Sequence, residues 1–449
     1  MKRGLIKAAV VLLIILMTST LSLPSLLIAP TPVAAESFSF GASGDIGFSK
    51  STDASLNAVA GANLAFFLVV GDFSYNGTGT EQSWCNYITA HVGNNFPFML
   101  EGGNHEDDNG PDGRVDNFVA CLPNRLMKPD GSSAIEESGL CGTKPSACYA
   151  KEYYFDYPVD HPIARFILIG ADNKFDGVKY QYPANSPHYQ WLDSSILQAK
   201  NQGLWVIVGM HKLCISAGVM GCAIGVDLAR LLINDKVDIV LQGHDHLYER
   251  SKQLTCIGGN PTRTVQAIYD PTCVANDGTS GIYNYGKGTI FLVNGQFGGR
   301  AFVDLNCNDP EASYFAKGMG RVKAWENGTC VTTEGAGQGF SQYTVTPNSI
   351  EVSLVTARQI KPGTLFIDHW SIVEKTGNQQ PTSTNCIPLI NCPYQPGDSS
   401  PTFNSGLTTR LSLAIPAIAG VVAAVVITFA RRRQAFRSRP SEQSRLDST

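Results

Sequence analysis

Runs of consecutive apolar residues recur along the first 250 positions, and each stops on a small or polar residue. Phe38 to Ala42 is short and strand-like and leads into Gly44-Asp45-Ile46-Gly47. Leu64 to Val70 is apolar without a break and stops at Gly71-Asp72-Phe73-Ser74-Tyr75. Phe96 to Leu100 leads to Gly103-Asn104-His105-Glu106. Between these runs, Asp53 to Ala62 and Glu81 to Val92 carry helical patterns. Alternation of apolar strand with helix predicts an α/β sheet covered on both faces.

The second half continues the rhythm less regularly. Asp107 to Cys148 is rich in Gly, Pro and Asp and reads as a long, stapled loop or insertion able to form one wall of a site. Glu152 to Tyr157 and Arg165 to Ile169 read as strands, and Gln190 to Lys200 as a helix. Leu204 to Val208 is a buried strand running on to Gly209-Met210-His211, and Val226 to Ile233 is a helix. Val237 to Gln242 is a strand that opens onto Gly243-His244-Asp245-His246. Ser251 to Asn284 is a variable, cysteine-bearing loop, and Thr289 to Val293 is a strand. Alternation from Ser341 to Val355 predicts antiparallel strands, with Phe366 to Val373 the last. There is no internal repeat.

The two ends have a different composition. Lys2, Arg3 and Lys7 precede an apolar run from Ala8 to Met17, and small residues follow up to Ala34-Ala35. This is the pattern of an export signal over residues 1–35, cleaved after Ala35, with an uncleaved anchor as the alternative. Leu411 to Ala430 is 20 residues without a charge, followed by Arg431-Arg432-Arg433. That length is enough for one bilayer-spanning helix over 410–430, with the basic tail 431–449 kept in the cytoplasm. Residues 376–409, rich in Ser, Thr, Pro and Asn, read as a stalk. The expected arrangement is a catalytic domain over 36–375, outside the cell and tethered at the surface by one C-terminal helix.

The net charge of −4 in 449 residues disfavours nucleic-acid binding as the main function. Twelve cysteines without a Cys-x-x-Cys disfavour a zinc ribbon or thioredoxin motif and suit disulfides in an oxidising compartment. The close pairs Cys141 and Cys148, Cys214 and Cys222, and Cys386 and Cys392 could each close a small loop. Asn76-Gly77-Thr78 and Asn327-Gly328-Thr329 are glycosylation acceptor patterns.

Five strand ends supply Asp45, then Asp72 with Tyr75, Asn104 with His105, His211, and His244 with His246. In open α/β sheets ligands bind just outside the carboxyl ends of strands, which gathers these residues at one edge. Two carboxylates, an amide, a phenol and three imidazoles exceed the needs of one metal and suit two sharing a carboxylate. Singly, each has an ordinary alternative: Asp45 and Asp72 as turn or cap residues, Tyr75 as a packed aromatic, Asn104 in a turn, His211 in the core.

Taken in order, the five motifs resemble those of the calcineurin-like metallophosphoesterases. Tyr75 and the run His244-Asp245-His246-Leu247-Tyr248-Glu249-Arg250 resemble the purple acid phosphatases in particular. The resemblance covers about Phe38 to Phe297 and extends at most to Lys375. It implies a β-sandwich of two mixed sheets flanked by helices, an α/β/β/α arrangement. It also implies a binuclear centre, with Asp45, Asp72, Tyr75 and His246 around ferric iron. Asp72 would bridge, and Asn104, His211 and His244 would complete a second site for divalent iron, zinc or manganese. The implied activity is acid phosphatase: metal-activated hydroxide attacks a phosphomonoester in line with the leaving oxygen. A phosphodiesterase or nucleotidase on the same metals, or a surface-binding module without turnover, stays open. Oligomeric state is not legible.

The resemblance places Asn104, His105 and His211 against the substrate, with His105 as outer-shell phosphate contact or leaving-group acid. Some relatives carry further histidines after the His211 motif, but Lys212 to Gly225 contains none, which leaves Lys212 or His188 as substitutes. With the first motif so soon after the expected cleavage, no plant-type N-terminal β-sandwich is expected before it. Glu106 is expected to support the ligands, Glu249 and Arg250 to pair locally, and His91, His161 and His369 to be structural.

Overall fold

The computed structural model describes residues 37–77, 79–142, 148–326, 328–332 and 335–373. These fall in one unit, Met1–Pro381; a second, Thr382–Thr449, lies outside the described residues. The export signal, stalk, spanning helix, basic tail and the Cys386 and Cys392 pair also lie outside them, as do Thr78 and Asn327 of the acceptor patterns. Among the described residues no helix is long and apolar enough to cross a membrane.

Two mixed sheets carry the fold. The first is built on three parallel strands, β1 (Phe38–Ser43), β2 (Phe66–Val70) and β3 (Phe98–Glu101). Beyond β1 it continues antiparallel through β19 (Gly337–Val345), β20 (Ile350–Gln359) and β21 (His369–Val373), and β14 (Ile282–Asn284) closes that edge. The second sheet is centred on parallel β6 (Ala164–Ile169), β9 (Trp205–Met210), β10 (Ile239–Gln242) and β15 (Ile290–Asn294). Antiparallel strands flank it: β5 (Glu152–Tyr157) and β4 (Ile135–Glu137) on one side, then β11 (Tyr248–Ser251), β16 (Phe315–Met319), β17 (Lys323–Glu326) and β18 (Thr329–Thr332) on the other. Two small two-stranded sheets complete the set: β7 (Lys174–Phe175) with β8 (Val178–Lys179), and β12 (Gln253–Leu254) with β13 (Val274–Asn276).

Aromatic side chains interleave between the sheets. Phe40 of β1 meets Phe166 of β6 edge-on at 4.9 Å between ring centroids, and Phe66 of β2 meets Phe155 of β5 at 5.4 Å. Every residue of β2, β6, β9, β10 and β15 is buried, which is why those segments, apart from Arg165 in β6 and the terminal Gln242 and Asn294, read as apolar runs rather than alternating ones. Helix α1 (Lys50–Gly61) packs on β19 and β20 and on α2 (Glu81–Val92), covering the first sheet. Further on, α3 (Val115–Cys121) packs against α2, and α4 (Pro187–Asn201) covers β6 and β9 of the second sheet. A fifth helix, α5 (Val226–Asn234), precedes β10.

Helix starts follow capping chemistry. Ser49 accepts from the amides of Ser51 and Thr52, so α1 begins at Lys50, three residues before the apolar pattern suggested. Ser186 caps α4, and Pro187 takes its first position, where no amide donor is needed. The sequence does not announce β11: Tyr248-Glu249-Arg250-Ser251 is polar yet wholly buried.

Five disulfides form among the described residues: Cys85–Cys121, Cys141–Cys148, Cys214–Cys222, Cys256–Cys273 and Cys307–Cys330. Two are close pairs legible in the sequence; the other three join residues that only the fold brings together. Cys85–Cys121 staples α3, inside the supposedly irregular 107–148 segment, to α2.

Glu249 and Arg250 do not pair with each other. Neighbours on a strand point to opposite faces. Arg250 reaches Asp368 through Nε at 2.7 Å and Nη2 at 3.0 Å. Glu249 Oε2 instead lies 2.9 Å from Ser216 Oγ, and Oε1 accepts from Ala217 N at 2.8 Å.

Candidate metal centre

Because β1, β2 and β3 are parallel, as are β9, β10 and β15, the carboxyl ends of both parallel sets deliver polar residues to one edge. The loops there bind each other through their backbones. Asp45 N donates to Gly71 O at 3.0 Å, Ile46 N to Asp72 O at 2.9 Å, and Gly243 N to His211 O at 3.0 Å. Four of the seven expected ligands, Asp45, Asp72, Tyr75 and His244, have left-handed backbone with φ between 52° and 71°. Such conformations are costly for residues with a side chain and cluster at functional sites. Gly71 is required as glycine: a Cβ there would lie 2.3 Å from His211 Nδ1, and φ is +84°. Gly103 is required by contact, since its Cβ would lie 2.1 Å from Asp72 Oδ1.

The seven side chains converge in two groups. In the first, the Tyr75 hydroxyl donates to Asp72 Oδ2 at 2.9 Å, contacts Asp45 Oδ1 and lies 3.1 Å from His246 Nε2. His246 Nε2 is 3.3 Å from Asp45 Oδ1. In the second, His211 Nε2 lies 3.0 Å from Asn104 Oδ1, 3.2 Å from Asp72 Oδ1 and 3.2 Å from His244 Nδ1. Asp72, 2 % exposed, thus places one carboxylate oxygen in each group. Donor atoms of Asp72, His211 and His244 all lie within 4.8 Å of one another, close enough to hold one metal ion.

The donor chemistry fits cations. His211 Nδ1 faces the Val70 carbonyl at 3.0 Å, so that nitrogen carries hydrogen. In the neutral ring, Nε2 then presents its lone pair to an amide oxygen, a carboxylate oxygen and another imidazole nitrogen. Lone pairs aimed at lone pairs are stabilised by a positive ion among them.

Without an ion, protons take up that role. Burial alone would lower His211, but the Asp72 carboxylate outweighs it and lifts the imidazolium to about 9. Burial first, and then the charge of His211, push the adjacent His244 down to about 3. Burial would raise Asp72, yet His211, His105 and His244 together hold it well below the carboxylate range. Burial, reinforced by Asp45 and Asp72, holds the Tyr75 phenol well above its ordinary value.

Support around the ligands comes from residues the motifs only partly mark. Glu106 accepts from Phe73 N at 2.8 Å and Gly103 N at 3.1 Å, tying the Asp72 loop to the Asn104 loop as expected. Asp245, between two candidate ligands, turns away from them. It accepts from Ser216 Oγ at 2.6 Å and from Val219 N and Met220 N at 3.2 Å, pinning the Cys214–Cys222 loop.

His105 stands outside both groups. Its side chain is 22 % exposed, Nε2 lies 3.7 Å from Asp72 Oδ2, and its ring meets Tyr75 edge-on at 4.5 Å. Its Nδ1 is bonded to Asp112 Oδ2, a residue the sequence does not single out; a carboxylate seven positions after a histidine carries no signal by itself. Neither suggested substitute is turned to this task. Lys212 Nζ donates to Asp172 O at 2.8 Å and Oδ2 at 3.0 Å, and His188 Nδ1 lies 2.9 Å from Glu152. His91 lies 2.9 Å from its own helix carbonyl at Tyr87, and His369 contacts Ser353 at 2.9 Å.

Comparison with known proteins agrees with this geometry. Residues 39–248 match the model of the calcineurin-like phosphoesterase family. Purple acid phosphatase 22 of Arabidopsis thaliana is 26% identical over 231 residues, covering 50% of this chain and 48% of the relative. A phosphoenolpyruvate phosphatase of Allium cepa is 29% identical over 239 residues, covering 50% of this chain and 44% of its own length. The chain therefore spans about half the length of the curated relatives it matches. Among solved structures, a purple acid phosphatase from yellow lupin (Lupinus luteus) seeds aligns with a TM-score of 0.48 at 15% identity, over 77% of this chain and 55% of that one. Residues 39–248 are thus similar to the calcineurin-like phosphoesterases, and the relatives matched there are purple acid phosphatases and a phosphoenolpyruvate phosphatase.

Proposed function

We propose that this chain is an exported, membrane-anchored acid phosphatase that hydrolyses phosphomonoesters at a binuclear metal centre. The observation that carries this reading is Asp72, whose two oxygens enter two separate groups of donors. Asp45, Tyr75, His246 and Asp72 would hold one cation, ferric iron by the hardness of the oxygen donors. Asp72, Asn104, His211 and His244 would hold a divalent one, iron, zinc or manganese. When bound, such a pair supplies activated water and positive charge for the phosphate oxygens.

The chain's own residues do the rest. Asn104, His105 and His211 face the docking phosphate. His105 presents Nε2 while Asp112 fixes Nδ1, so a proton at Nε2 is aimed at the leaving oxygen. Export is supported by the basic and apolar start of the sequence and by five disulfides. Anchoring is supported by the uncharged segment from Leu411 to Ala430 and the arginines after it.

The test is the visible spectrum and metal content of the segment from Glu36 to Lys375, made in an oxidising compartment, beside the same segment carrying Tyr75→Phe. About two metals per chain are expected, with a purple band that the substitution removes and monoester turnover at acidic pH. A folded protein that binds no metal would defeat the proposal. Two metals without colour would retain the phosphoesterase and remove the iron.

A further inference from the structure

The fold brings a basic residue, Arg300, to the Tyr75 side of the metal centre. Its guanidinium carbon lies 4.5 Å from the Tyr75 ring centroid, and the residue is exposed. Among the described residues no carboxylate pairs with it. The backbone that carries it is fixed against the site. Gly299 N donates to Asp45 O at 2.8 Å, Ser49 Oγ to Gly298 O at 2.7 Å, and Gln338 Nε2 to Arg300 O at 2.9 Å. On the far side, Val303 N donates to His246 O at 3.1 Å. The loop is thus tied to Asp45 and His246, two members of the Tyr75 group. It also lies flat on that group: a Cβ at Gly299 would be 2.6 Å from Asp45 O and 2.8 Å from the Tyr75 ring.

An exposed arginine on a clamped loop has little to contribute to the core, but it has an obvious use toward an anion. The guanidinium fork is planar and always charged, and it matches phosphate oxygens in pairs. The segment after His211, where a further cation could have come from, offers Lys212, which is already held by Asp172. His105 contacts the same Tyr75 ring, so Arg300 and His105 both border the place where a phosphate would approach.

We propose that Arg300 determines substrate class at this site by gripping a non-bridging phosphate oxygen beside Tyr75. The inference rests on the phosphoesterase reading. A monoester presents three non-bridging oxygens and can carry two negative charges, a diester two oxygens and one charge, so a fixed cation here favours monoesters.

The experiment measures inorganic phosphate binding by calorimetry to the metal-loaded protein, with metal content determined for each sample, in wild type, Arg300→Gln and Arg300→Lys. Losing one charge-assisted bond to an anion predicts about tenfold weaker phosphate binding in Arg300→Gln. Metal content should be unchanged, and Arg300→Lys should recover part of the affinity as a point charge. In turnover, Arg300→Gln should raise the monoester KM with kcat nearly kept and narrow the preference over a diester. Unchanged phosphate affinity in Arg300→Gln overturns the inference. Loss of metal with loss of affinity also overturns it, since Arg300 would then merely support Tyr75. A wild-type protein with full metal and no phosphate binding sinks the phosphoesterase reading itself, and this inference with it.

Discussion

His211 Nε2 lies 3.2 Å from Asp72 Oδ1, while the other oxygen of Asp72 lies 2.9 Å from the Tyr75 hydroxyl. One buried carboxylate is therefore shared between two groups of ligands. Asp72→Asn should release most of both metals, whereas Asp45→Asn, whose side chain meets the second group only at the His244 backbone amide, should retain about one of about two. Elemental analysis of both variants after gel filtration decides this. Equal retention in the two would mean that Asp72 does not bridge.

His105 and Asp112 should behave as a positioned acid. His105→Ala is expected to lower kcat by roughly 10²–10⁴-fold on an alkyl phosphate, the range for lost general acid catalysis. The loss should be much smaller with p-nitrophenyl phosphate, whose leaving oxygen needs no proton. Asp112→Asn should show the same selectivity in milder form. Equal losses on the two substrates in His105→Ala would assign His105 to phosphate binding alone.

Glu101, at the end of β3, is fully buried, and neither carboxylate oxygen has a hydrogen-bond partner among the described residues. Burial first, then Glu106 and Asp72, hold its carboxyl well above its ordinary 4.5. From 4.5 up to that raised pKa the native state binds more protons than the unfolded chain, so this group's contribution to stability falls as pH rises. Glu101→Gln removes the linkage. Its Tm should match wild type near pH 4 and exceed it by ~3 °C or more at pH 8. Parallel melting curves for the two proteins would show that Glu101 is ionised in the fold.

Arg250 and Asp368 are each 2 % exposed and form a two-pronged ion pair between β11 and the segment before β21. Asp368→Asn leaves a buried guanidinium without its counter-charge and should cost roughly 3–5 kcal/mol in urea unfolding. The double change Arg250→Met with Asp368→Leu should recover most of that loss. A double variant as unstable as the single one would point to lost packing rather than an uncompensated charge.

Much of the parallel core could be read directly. Unbroken apolar runs such as Leu64 to Val70 have no amphipathic alternative, and each ends on its site residue. The α2 boundaries, Glu81 and Val92, agree with the pattern residue for residue. Reading was weaker where burial is polar. Strand β11 hides behind Glu249 and Arg250, whose polar groups are met by Ser216 and Asp368, far away in sequence.

The strand-helix order and the five motif-bearing turns are written in the chain's own pattern, and the pairs Cys141–Cys148 and Cys214–Cys222 are suggested by it, because these depend on periodicity and spacing within one stretch of chain. Only the tertiary structure decided which oxygen of Asp72 faces which histidine, that Asp112 holds His105, and that Arg300 lies over Tyr75. Those relations join residues from different loops. Their distances are set by sheet registers and by backbone bonds between turns, and no local pattern of side chains encodes them.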